Sequence, residues 1–71
     1  MTLKERLKRD LKPERYKLIH LAEEAGISPG TLTRILKGRT PSVKTATALA
    51  RAANKLTGLD TYNPITFLHL D

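Results

Sequence analysis

Residues 32–38 read LTRILKG, with Thr33, Arg34 and Lys37 as the polar positions among Leu32, Ile35 and Leu36. A hydroxyl, a guanidinium and an ammonium stand here with no acid between them. Their chemistry is recognition: arginine offers a planar fork of N–H donors to paired acceptors, and lysine offers a point charge. The residue types that would carry catalysis are badly placed. Glu23 and Glu24 are adjacent and so point in different directions on a helix. His20 and His69 have no second ligand at metal-binding spacing. No nucleophile stands with a base, and no glycine loop is built to cradle a phosphate. The expectation is a protein that is not an enzyme and has no cofactor, metal or small-molecule ligand.

The charge balance points the same way. Thirteen Lys and Arg against seven Asp and Glu leave a formal charge of +6, a surface that attracts polyanions. Basic residues gather in residues 4–17 and again from Arg34 to Lys55. Charge alone does not separate DNA, RNA, an acidic protein and a membrane surface. With 71 residues the chain is expected to form one domain, residues 1–71, burying roughly 60% of the surface exposed when unfolded. The absence of cysteine excludes disulfides and thiolate metal sites. No apolar run approaches the roughly 20 residues of a membrane span. The opening MTLKERLKRDLK has no apolar signal-peptide core, so a cytoplasmic location with no membrane partner is expected.

Local signals divide the chain into helices. Thr2 and Glu5 have the spacing of a capping box, and Leu3, Leu7 and Leu11 follow at four-residue intervals. Pro13 interrupts, which ends the first helix near Lys12 and starts the second at Pro13 or a few residues later. Tyr16, Ile19, Leu21, Ala22 and Ala25 are assigned to the second helix, and Gly26 stops it. Ile27 returns to the core. Ser28 and Pro29 then pair an N-cap with a first-position proline. Leu32, Ile35 and Leu36 stripe a third helix that Gly38 closes. After the turn at residues 39–41, Ser42 caps a fourth helix. Its apolar positions are Val43, Ala46, Leu49, Ala50, Ala53 and Leu56, and it ends at Gly58. Residues 60–62 read as a loop. Asn63 and Pro64 restart structure, where Ile65, Phe67, Leu68 and Leu70 are too few to separate helix from strand. A short fifth helix is expected. The fold class is all-α, a compact bundle of about five short helices.

Residues 18–37, LIHLAEEAGISPGTLTRILK, form a helix-turn-helix: Ala22 is small where two helices cross, Gly26 permits the turn, and Ile27, Leu32 and Ile35 face inward. The stretch resembles the phage-repressor type, the Cro and lambda-repressor-like (XRE-type) DNA-binding family. The resemblance runs over residues 17–58, through Leu21, Ala22, Gly26, Ile27, Ser28, Leu32, Ile35 and Gly38, and on into TPSVKTATALARAA.

That resemblance implies a sequence-specific regulator of transcription, more often a repressor, with residues 28–37 in the major groove of double-stranded DNA. It implies that Ser28, Pro29, Gly30, Thr33 and Arg34 face bases. Lys37, Arg39, Ser42, the Val43 amide and Lys44 would approach phosphates. The family often carries glutamine at the start of the second helix, where this chain has Leu18. Lys17 is then the expected phosphate ligand. Family members commonly bind two-fold operators as homodimers, so Ile65, Phe67, Leu68 and Leu70 have two readings, a cap on the monomer core or a dimer interface. Lys4, Arg6, Lys8, Arg9 and Lys12 are expected to be mostly a solvated face paired with Glu5 and Asp10. Two alternatives stand beside this reading: a lac-repressor-type headpiece, and an antitoxin or small protein-interaction module that binds an acidic partner.

Overall fold

In a computed structural model, which describes residues 2–11 and 16–68, the caps anticipated from the sequence set most of the helix boundaries. Thr2 opens α1 (Leu3–Asp10): its Oγ1 accepts from the Glu5 amide at 3.2 Å and donates to the Glu5 carboxylate at 3.1 Å. α1 stops before the expected Lys12. The Leu11 amide still reaches the Leu7 carbonyl, at 2.8 Å, and both side chains are buried. Lys12 and Pro13 lie outside the described residues.

α2 (Leu18–Ala25) starts later than the proline suggests. His20 Nδ1 accepts from the Lys17 backbone N–H at 2.8 Å, one half of a capping interaction. The helix therefore begins at Leu18 with Tyr16 ahead of it, and the Tyr16 ring packs edge-on to His20 at 5.9 Å. The face packed on the core also differs from the expected one. Leu18, Leu21, Ala22 and Ala25 now follow the i, i+3, i+4, i+7 pattern. Ile19 falls off that stripe and is 47% exposed.

α3 (Pro29–Leu36) and α4 (Val43–Thr57) begin at Ser28 and Ser42, each accepting the amide of the residue three positions on. α4 is the central helix and packs on both α2 and α5 (Pro64–Leu68). Its buried side is Ala46, Leu49, Ala50, Ala52 and Ala53. The four alanines among them are small enough to let neighbouring helices approach closely. Val43, expected on that side, is 68% exposed. Ser42, Val43 and Lys44 are all exposed, so the first turn of α4 overhangs the core.

The chain after Gly58 contributes more to the core than its sequence suggested. Tyr62, expected in a loop, is buried. Asn54 holds it on both sides: Nδ2 donates to the Tyr62 carbonyl at 2.9 Å, and Oδ1 accepts from the Tyr62 amide at 3.0 Å. Asn63 then caps α5 by accepting from the Thr66 amide at 3.1 Å. Phe67 is wholly buried, its ring 6.1 Å from that of Tyr62. Phe67 thus closes the core of the single chain, as the first of its two readings has it. Leu68 also packs on that core, Ile65 is 58% exposed, and Leu70 lies outside the described residues. No strand occurs among the described residues.

Candidate nucleic-acid interface

The turn between α2 and α3 is built from backbone. Gly26 has φ 77°, a left-handed conformation that strains any residue with a Cβ. It allows the Gly26 amide to reach the Glu23 carbonyl at 3.1 Å and the Ile27 amide to reach Ala22 at 3.0 Å. This paired termination ends α2 and sends the chain straight into Ser28. Pro29 follows at the first helical position, where its missing N–H costs nothing. Buried Leu32 and Ile35 fasten α3 to the core. The opposite side, Pro29, Gly30, Thr33, Arg34 and Lys37, is exposed.

The hydroxyls on this surface are largely committed. Ser28 Oγ accepts from the Thr31 amide and shares a 2.8 Å hydrogen bond with Thr31 Oγ1. Thr33 Oγ1 donates to the Pro29 carbonyl at 3.0 Å. What Thr33 can present outward is a methyl group and an acceptor. The charged donors on this surface are Arg34 on α3 and Lys37 at its C-cap. Beyond them Gly38, with φ 119°, closes the helix. Its amide reaches Ile35 and the Arg39 amide reaches Arg34, each at 3.0 Å, and Arg39 is exposed.

The charges are sorted by position. Asp10 accepts from Arg9 Nε at 2.9 Å and from the Tyr62 hydroxyl at 2.6 Å, with Arg6 Nε at 4.0 Å. Glu24 accepts from Lys55 Nζ at 2.6 Å. The hydrogen bond from Arg9 is the main reason the Asp10 carboxyl titrates below its ordinary range, and the Tyr62 bond adds to it. The hydrogen bond to Glu24 likewise raises Lys55. These acids neutralise bases at the far end of α1 and the last turns of α4. Among the described residues Arg34, Lys37, Arg39 and Lys44 have no ion pair. Their charge remains open to a polyanion.

The expected site residues do not all meet. Thr33 and Lys37 line a cleft of about 90 Å³ with Leu18, Leu36 and Lys4. Lys17 is exposed but borders a neighbouring hollow with Lys8, Leu11, Tyr16, Leu18 and Ile19. Ser42, Val43 and Lys44 are exposed at the start of α4, where the first amides have no partner within the helix. Lys4 belongs to the group of basic residues expected to be mostly a solvated face. Nothing in its local sequence places it beside α3, because that neighbour is 33 positions on at Lys37.

A small helical domain that presents one short helix after a tight turn, with free cations on that helix, is a helix-turn-helix domain. Residues 6–57 match the family model described as Helix-turn-helix, and the chain belongs to that family, the XRE-type, Cro and lambda-repressor-like group of DNA-binding regulators. The all-α architecture is consistent with the lambda-repressor-like fold. No curated protein and no solved structure matches the chain. Among the described residues no helix is long and apolar enough to cross a membrane.

Proposed function

We propose that the protein binds double-stranded DNA sequence-selectively and represses transcription by occupying its operator. The observation that carries this reading is the exposed side of α3, where Arg34 and, at the C-cap, Lys37 are the cationic donors and no acid among the described residues pairs with them. α3 enters the major groove, which admits one helix. Arg34 pairs with guanine O6 and N7, and Thr33 sets its methyl against thymine. Ser28, Pro29 and Gly30 line the approach to the bases. Lys17, Lys37, Arg39 and Lys44 take backbone phosphates. The first turn of α4, with Ser42 and the Val43 amide, adds N–H donors and the positive end of the helix dipole. With so few polar side chains on α3, base reading per half-site is narrow, and phosphates and DNA shape supply much of the affinity.

The proposal includes a homodimer on a two-fold operator. It is supported by Ile65 and Leu59, exposed apolar residues at and before α5, 58% and 43% accessible. Phe67, buried in the core of the single chain, is left out of this proposed interface.

Selection from random duplex DNA at about physiological salt, where screening trims non-specific attraction, tests the reading. Enrichment of an inverted repeat with half-sites about 10 base pairs apart is the expected result. Recovery of no sequence above background would remove sequence selectivity from the proposal.

A further inference from the structure

Lys4 stands in the first turn of α1, exposed and without an ion pair among the described residues. It shares a cleft with Leu18, Thr33, Leu36 and Lys37. Leu18 and Leu36 are half-buried and pack against the core, so they form an apolar floor. The charged groups of this cleft are two ammoniums. The acid next in sequence, Glu5, accepts the Thr2 hydroxyl at 3.1 Å, and no acid is among the described residues that line the cleft.

Two like charges brought to one cleft repel each other, and an anion between them turns that cost into attraction. The cleft also borders the side of α3 that faces DNA in the proposed function. Thr33 and Lys37 are one turn apart, roughly 6 Å along the helix. Lys4 lines the same cleft as both, within reach of a strand whose bases meet Thr33.

We infer that Lys4 is a DNA-phosphate ligand and that Lys4 and Lys37 together grip one backbone phosphate at this cleft. The inference rests on the DNA-binding reading above and extends the interface from the helix-turn-helix to α1. Lys8, one turn further along α1, borders the other hollow with Lys17 and has no part in this grip.

The test is a salt series of binding to a labelled short duplex of mixed sequence, since a phosphate contact acts on every sequence. Lys4→Ala is compared with Arg51→Ala. The latter removes the same charge from an exposed position beside Glu24 and Lys55. Lys4→Ala should weaken binding severalfold and lower the slope of log K against log salt by up to about one unit. Arg51→Ala should change it far less, and Lys4→Arg should retain binding. The Lys4→Ala/Lys37→Ala double variant should depart from the product of the two single losses, as coupled residues do. Equal effects of Lys4→Ala and Arg51→Ala would overturn the inference while leaving DNA binding intact. A double variant equal to the product would overturn the shared grip. A wild-type protein with no salt-dependent binding to any duplex would overturn the DNA-binding reading and this inference with it. Unchanged helical circular dichroism in each variant ties the losses to contact and not to folding.

Discussion

The Tyr62 hydroxyl donates to Asp10 Oδ2 at 2.6 Å, joining the end of α1 to the approach to α5 across 52 residues of sequence. Arg6 lies over the Tyr62 ring, 4.5 Å from its centroid, and Arg9 holds the other carboxylate oxygen. Tyr62 is beyond the stretch that matches the family model. The link therefore fastens a segment outside that stretch onto the first helix.

This link should make stability depend on pH in two directions. Asp10 titrates lower in the folded protein, chiefly through Arg9 and then Tyr62. Its contribution is then present above the unfolded value, about 3.9, and is lost as pH falls through the depressed folded value. Tyr62 titrates higher when folded, through burial first and the Asp10 hydrogen bond second. Its contribution is present below about pH 10 and fades as pH rises toward the folded value. Asp10→Asn should melt earlier than wild type at neutral pH, with the gap narrowing below about pH 4. Tyr62→Phe, which removes a hydrogen bond to a charged group, should cost about 1.5–3 kcal/mol in urea unfolding at pH 7. Parallel melting curves for wild type and Asp10→Asn across the acid range would discard this account.

Arg34 and Lys44 should fail in different ways. Arg34→Ala should cost about 1–3 kcal/mol on the selected operator and relax preference at one base pair per half-site. Lys44→Ala should weaken all sequences alike and reduce the salt slope by about one unit. Binding titrations over single-base operator variants separate the two patterns. If Arg34→Ala weakens every sequence equally, Arg34 is a phosphate contact.

Gly30 should show stability and binding moving in opposite directions. It lies in the first turn of α3 without a positive φ, and a Cβ built there meets nothing within 4 Å. The fold does not require a glycine at this position. Gly30→Ala should therefore stabilise the protein by about 0.4–1 kcal/mol while weakening operator binding, because the added methyl holds α3 off the groove. Thermal melts and anisotropy on the same samples measure both, and an alanine variant that binds as well as wild type would show that the glycine has no steric role.

Two apolar residues of α5, Ile65 and Phe67, should behave unlike each other. Phe67→Ala should cost about 3–5 kcal/mol through the cavity it leaves. Ile65→Ser, at an exposed position, should change monomer stability by no more than about 0.5 kcal/mol and shift the protein toward monomer in sedimentation equilibrium. A wild-type protein that is monomeric both free and on its operator would remove the dimer from the proposed function.

Much of the architecture was legible because helix ends are local chemistry. Ser28 and Ser42 bond to amides three residues away, and Gly26, Gly38 and Gly58 take left-handed conformations that few other residues tolerate. The caps before α3 and α4, the stops after α2, α3 and α4, and the helix-turn-helix itself are therefore determined by amino-acid order. So is the exposed polar character of Thr33, Arg34 and Lys37. The tertiary structure decided what depends on elements meeting at a distance. Leu18, and not Ile19, took the place against the core. The overhang of α4 exposed Val43. Asn54 drew Tyr62 into the core, Asp10 held it there, and Phe67 followed it inside. Lys4 came to rest beside Lys37. None of these leaves a periodic trace, because side-chain contacts between helices depend on packing direction and on partners many residues away, whereas caps and turns draw on their immediate neighbours.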